Sequence, residues 1–281
     1  MPHAPTQDAA APSGPWALVT GASDGIGAAT ARALAAEGYH LILAARRRSA
    51  LDHLADEIRA HVGVHVVVAS VDLARPEGVS TLFHAISEAG VGPDQIELGV
   101  VAAGFGSSGP FIEADLANEL NMLAVNCSAV LQLAHILGRA MVARGAGQLV
   151  LFGSLVGFQG NAMSANYSAT KAYVQTLAEG LAAEMKSKGV HVLSVAPGPV
   201  TSGFADRAQM QMGMADRPEA VARGIVRALS SSGTIRPGFV SKLLGYTMAM
   251  TPRPLRIRIM SGVMSGMASN GKDRDLQDQK G

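Results

Sequence analysis

From Trp16 onward, short apolar and β-branched runs alternate with longer alanine-rich stretches of helical character. The runs Ala17 to Thr20, Leu41 to Ala45, Val64 to Val71, Leu98 to Ala102, Gln148 to Gly153 and His191 to Ala196 have the length and residue types of buried strands. A seventh strand is expected near Gly238 to Ser241. Helices are expected over the intervals, most clearly Ile26 to Glu37, Ala50 to Ala60 and Tyr167 to Lys188. Repeated strand-helix-strand units predict an α/β fold: one open, doubly wound parallel sheet with helices on both faces, in three layers. The ligand crevice of such a sheet lies beyond the carboxyl ends of its strands. Nothing in the pattern marks a repeat or an interdomain linker. A single domain is therefore expected over residues 16–241, with a substrate loop at about 202–215, a disordered leader at 1–15, and a helical extension with a polar tail over 242–281.

Composition narrows the function. The 281-residue chain is 48% hydrophobic, which suits helices packed on a parallel sheet, and its formal charge of +1 points to neither nucleic acid nor an anionic membrane as principal partner. The Pro- and Ala-rich start lacks the basic and apolar parts of a secretion signal, and no uninterrupted apolar run reads as long enough to span a membrane. A cytoplasmic protein is expected. The single cysteine, Cys127, excludes an internal disulfide framework and reads as a space-filling residue. The histidines, among them His135 and His191, lack paired ligand spacing, so no metal site is expected.

Beyond Phe204 the chain carries Met210, Met212, Met214, Met248, Met250, Met260, Met264 and Met267 among small apolar residues. Methionine adapts to irregular gaps, so packing is the plain reading. The sharper reading is a mobile lid over an apolar substrate, or a surface helix whose Arg253, Arg256 and Arg258 touch lipid or a partner.

Candidate chemistry begins between the first strand and first helix, at Thr20-Gly21-Ala22-Ser23-Asp24-Gly25-Ile26-Gly27. Glycines at 21, 25 and 27 let the backbone turn tightly and approach a pyrophosphate, which the helix N-terminus receives. After the second strand, where NAD-binding proteins place an acid, stand Arg46-Arg47-Arg48; guanidinium groups suit a 2′-phosphate, so NADP(H) is preferred and NAD(H) is the alternative. A solvated basic helix start is the plain reading of that run. Further on, Tyr167 and Lys171 stand four apart, hence on one helix face, downstream of Ser154 at a strand end. An ammonium beside a phenol favours the phenolate and lowers its pKa, and a serine hydroxyl can hold a carbonyl oxygen within the tyrosine's reach.

Taken together, the glycine-rich octapeptide, Asp72 in Val-Asp-Leu, Ala103-Gly104, Asn126 in Val-Asn-Cys, Ser154, Tyr167-Ser-Ala-Thr-Lys171, and Pro197-Gly198 with Thr201 resemble the short-chain dehydrogenase/reductase superfamily, classical type, from about Trp16 to Phe204. One departure is Ala102, where the family has an asparagine that steadies the central sheet. The resemblance implies a Rossmann fold and an oxidoreductase in which Tyr167 exchanges a proton with the substrate, and Lys171 lowers the pKa of that phenol and bonds the nicotinamide ribose. It implies that Ser154 fixes the carbonyl oxygen and that Asn126 holds a water linking Lys171 to solvent. It further implies that the cofactor meets Gly21, Ser23, Asp24, Gly25, Ile26, Gly27, Arg46, Arg47, Asp72 at the adenine, Gly104, Tyr167 and Lys171, and that Pro197, Gly198, Val200 and Thr201 border the nicotinamide. Self-association as a homodimer or homotetramer is implied as well.

The expected function is NADP-dependent interconversion of a ketone and a secondary alcohol on an uncharged or apolar-bodied small molecule, as in 3-oxoacyl, steroid or xenobiotic carbonyl chemistry. Two alternatives stay open: an NAD-linked alcohol dehydrogenase of the same fold, and a dinucleotide-binding sensor without catalysis.

Overall fold

The computed structural model describes residues 14–201, 203 and 215–278. The leader at 1–13, most of the expected substrate loop, and Met210, Met212 and Met214 lie outside them. Seven parallel strands, β1 (Trp16–Thr20), β2 (His40–Ala45), β3 (Val66–Ser70), β4 (Ile96–Val101), β5 (Gly147–Phe152), β6 (Val190–Val195) and β7 (Gly233–Ile235), form one sheet in the order β3-β2-β1-β4-β5-β6-β7. The chain winds outward from β1 in one direction, then returns to β4 and winds in the other.

Alternate strand residues serve opposite faces. Ala17 and Val19 of β1 join Leu41, Leu43, Leu98 and Val100 against α1 (Gly25–Ala36), α2 (Arg48–Val62) and α7 (Pro218–Ala228). Trp16 and Leu18 face the other way, with Ile42, Leu149 and Leu151, against α3 (Gly78–Glu88), α5 (Val130–Arg144) and α6 (Ala165–Met185). Both faces are dry, which is why the strands read as continuous apolar runs rather than alternating ones.

Three expectations change. The seventh strand is Gly233–Ile235, pairing with Leu193 to Val195, whereas Gly238 to Ser241 turns into α8 (Phe239–Ala249). Asp216 explains the difference: its carboxylate accepts from the backbone N–H groups of Phe239 at 3.2 Å and Ser241 at 3.4 Å, capping the helix start. Secondly, the continuous helical segment Leu116–Arg144, which joins α4 (Leu116–Leu123) to α5, does reach the length and apolarity of a membrane-crossing helix over one stretch of 18 residues, whose mean hydropathy is 1.5. Leu133, Leu137 and Met141 turn into the core, while Leu116, Leu120, Leu123 and Leu131 are exposed. Thirdly, the expected C-terminal helical extension begins at Phe239, ahead of residue 242, as α8, and goes on as α9 (Arg253–Asp278), which ties back to the chain just before α6 through Ser261, whose hydroxyl accepts from the Ala162 N–H at 3.0 Å.

Candidate active site

The sheet's order reverses between β1 and β4, and there the chain leaves a crevice lined by bare backbone. Gly21 has φ of 68° and Gly25 of 54°, a region that favours glycine. A Cβ on Gly21 would meet the backbone nitrogen of Ala103 at 2.9 Å, and one on Gly27 would collide with the carbonyl oxygen of Gly21. Asp24 caps α1, accepting from the Gly25 N–H at 2.6 Å, so the positive end of the helix opens on the crevice. Across the gap, the fully buried Thr20 hydroxyl accepts from the Ala103 N–H at 3.1 Å. That bond braces the segment in which Ala102 replaces the family's asparagine.

The arginine run divides three ways. Arg48 begins α2 and pairs with Asp52 at 2.9 Å, away from the crevice. Arg47 lines the crevice but donates to the Ser23 carbonyl at 3.1 Å and lies 3.7 Å from the Asp24 carboxylate. Arg46 lines it too, and its guanidinium forms no ion pair among the described residues. Asp72 stands nearby, its carboxylate accepting from the Ala74 N–H at 3.1 Å.

Ser154 lies two residues beyond the end of β5 and caps the helical turn Leu155–Phe158, while Tyr167 and Lys171 lie one turn apart on α6, and all three are buried. The Lys171 ammonium donates to the Phe152 carbonyl at 2.9 Å and sits 5.9 Å from the centre of the Tyr167 ring. Burial pushes the phenol up to about 12; a hydrogen bond with Ser154 acts the other way. Burial likewise lowers Lys171 to about 8, with Cys127 opposing. The expectation that Lys171 holds the phenol below its ordinary value is therefore corrected. Desolvation of the phenolate outweighs an ammonium that is itself desolvated and turned toward a carbonyl. Cys127 lies outside the crevice lining, and burial raises its thiol, with Lys171 opposing.

Asn126 sits on a π-helical turn, Ala124–Ala129, between α4 and α5, an irregularity common at functional sites. Its side chain is almost fully buried. The amide donates to the Phe105 carbonyl at 2.8 Å and the Thr170 hydroxyl at 3.0 Å, and its oxygen accepts from the Phe105 N–H at 3.1 Å. Both N–H groups are thus taken, leaving one lone pair for a water. A Cβ on Gly104 would crowd that oxygen at 3.0 Å and the Lys171 Nζ at 3.4 Å, so a residue without a side chain separates them.

The glycine loop, Arg46, Arg47, Asp72, Ser154, Tyr167 and Lys171 share one cavity of about 640 Å³. The predicted cofactor residues Gly21, Ser23, Asp24, Gly25, Ile26, Gly27, Arg46, Arg47, Asp72, Gly104, Tyr167, Lys171, Pro197, Gly198 and Val200 all line it, as does Ser154. Asn126 and Thr201 do not; Thr201 instead donates its N–H to the Asp216 carbonyl at 3.1 Å. At the far end, α8 and α9 contribute Leu244, Met248, Ile259, Met260, Val263 and Met264, while Met250 is exposed. Of the three arginines expected on a surface helix, Arg253 and Arg258 are exposed, but Arg256 lines the cavity. Arg236, Phe105 and Phe158 line it without having been singled out. No local motif marks them, because the fold gathers them from separate connections.

A family model described as short chain dehydrogenase matches residues 15–212. The chain belongs to this family. The short chain dehydrogenase is 30% identical over 223 residues to a very-long-chain 3-oxoacyl-CoA reductase of Phaeosphaeria nodorum, covering 79% of its own length but 65% of that relative's. It is 37% identical over 208 residues to a galactitol 2-dehydrogenase (L-tagatose-forming) of Cereibacter sphaeroides, with 73% of its own chain and 77% of the other covered. Among solved structures, a short-chain dehydrogenase from Sphingobium yanoikuyae in complex with NADPH superposes with a TM-score of 0.75 at 27% identity, covering 85% of this chain and 97% of that one.

Proposed function

We propose that this short chain dehydrogenase interconverts a ketone and a secondary alcohol with NADP(H), in preference to NAD(H), on a substrate with an apolar body of 3-oxoacyl, steroid-like or xenobiotic type. One observation carries the reading: Ser154, Tyr167 and Lys171 converge on a cavity that runs on to the glycine loop. A dinucleotide fits the residues present, since a positive helix end faces bare backbone where a pyrophosphate needs close approach. Arg46, with no ion pair among the described residues, supports the preference for a 2′-phosphate, as does the solved relative in complex with NADPH.

When bound, the nicotinamide supplies or takes the hydride. Ser154 holds the carbonyl oxygen and stabilises negative charge growing on it. Tyr167, kept protonated through neutral pH by its burial, donates its proton to that oxygen and reclaims it in the oxidation direction. Lys171 stabilises the phenolate left behind and would hold the nicotinamide ribose when the cofactor is bound. Asn126 offers its remaining lone pair to a water on the proton path and fixes Phe105 beside the site. The apolar lining from α8 and α9 supports an apolar substrate and gives a polyol few partners.

Steady-state NADPH consumption with ketones of graded size tests the reading. Tyr167→Phe should lower kcat by about 10²–10⁴ with unchanged NADPH affinity. A wild type that consumes no NADPH with any of the ketones, or an active Phe variant, overturns it. We also propose that the exposed leucines of α4 and α5 are covered by a second copy of the chain, forming a homodimer or homotetramer.

A further inference from the structure

Two guanidinium groups stand at the apolar end of the cavity with no carboxylate paired to them among the described residues. Arg236 follows β7 and lies over the rings of Phe158, at 4.9 Å, and Tyr246, at 5.7 Å. Gly245 makes the room: a Cβ there would run into the arginine's Cδ. Arg256 enters from α9, on the helix face that also turns Ile259, Met260, Val263 and Met264 into the cavity. The Nε of each is buried with no hydrogen-bond partner, and neither side chain forms an ion pair among the described residues. The carboxylates that line this cavity, Asp24 and Asp72, belong to the glycine-loop and adenine side.

Both side chains are half-buried, and a buried guanidinium N–H that has no acceptor carries a cost which an anion accepting from it would offset. Aromatic stacking occupies the π faces of a guanidinium and leaves its N–H edge for a planar oxyanion. We infer that Arg236 and Arg256 form an anion subsite, so that the substrate is a ketone whose apolar body ends in a carboxylate or phosphate. The inference deepens the proposed function and rests on it for the ketone, but not for the anion. It refines the expectation of an uncharged or apolar-bodied molecule, because the methionine and leucine lining takes the body while the arginines take its end.

The probes are 9-oxodecanoate, its methyl ester, and the phosphate monoester of the corresponding hydroxy ketone, each measured by calorimetric binding and by NADPH turnover on wild type, Arg236→Gln and Arg256→Gln. The wild type should favour an anionic probe over the ester by about 30-fold in both Kd and kcat/KM, and each variant should lose about 10-fold for that probe with the ester changed less than about 2-fold. Preference for carboxylate or phosphate identifies the terminal group. Equal handling of ester and anions by the wild type, or equal losses for both in the variants, overturns the subsite while leaving ketone reduction intact. Arginine-dependent binding of an anion that is never reduced sustains the subsite and sinks the proposed reaction instead. Unchanged NADPH affinity in both variants is required, since a fall would place these arginines on the cofactor.

Discussion

The buried ammonium of Lys171 makes the stability of this fold depend on pH in a calculable way. Its pKa falls from 10.5 to about 8 through desolvation, so the folded chain holds that proton less tightly than the unfolded one. At about 1.4 kcal/mol per unit, the depression corresponds to roughly 3 kcal/mol. A depressed folded-state value means the contribution is present above pH 10.5 and is lost as pH falls through 8, where the folded protein must bury a charge. Integrated between pH 7 and pH 10, the linkage amounts to about 2–3 kcal/mol of unfolding free energy. Lys171→Met keeps the stem and removes the titration. The stability of wild type minus that of the variant should therefore rise by about 2–3 kcal/mol across that interval. Tyr167, raised from 10.0 to about 12, acts in the opposite sense: its contribution, present below pH 10, is lost as pH rises toward 12. That loss is common to both proteins and largely cancels. Urea unfolding at several pH values, followed through the single tryptophan Trp16, measures the difference. A difference flat to within about 0.5 kcal/mol would show that Lys171 is hydrated, and the account of both shifted groups would fall with it.

Three further outcomes follow from the geometry. Arg46→Ala should weaken NADP binding by about 10- to 100-fold while leaving NAD binding nearly unchanged, as measured by fluorescence titration; equal losses would assign Arg46 a structural part. Asn126→Leu removes the amide's bonds to the N–H and carbonyl of Phe105 and should destabilise the fold by about 2–4 kcal/mol in chemical denaturation, with a value under about 1 counting against the bonds described. Leu120→Glu places a charge on the exposed apolar face of α4 and should convert the sedimenting species to monomer, whereas unchanged mass would move the proposed interface elsewhere.

Strands β1 to β6 were legible because burial on both faces writes itself as uninterrupted apolar runs. The seventh was not: Gly233–Ile235 is three residues long, at the sheet's edge, and Phe239-Val240 beside it looks the more strand-like. What makes that pair helical is a carboxylate at Asp216, more than twenty positions away, which no local window contains. The same division runs through the site. Spacing revealed that Tyr167 and Lys171 share a helix face, but the direction of their pKa shifts depends on burial, a property of the assembled fold. Arg256 showed its charge in the sequence and hid its surroundings, because the cavity that it lines is assembled from segments far apart in the chain.

The isolated bridge Val200↔Asp216 is fastened by the Asp216 N–H donating to the Pro199 carbonyl at 2.9 Å and the Thr201 N–H donating to the Asp216 carbonyl at 3.1 Å. It works as a staple at the neck of whatever lies between its ends. Lengthening such a segment adds closure entropy only logarithmically. Segments of other lengths and chemistries can therefore be exchanged between residues 201 and 215 without unsettling the backbone at Pro197 and Gly198, which makes this neck the natural seam for grafting new selectivity onto the scaffold.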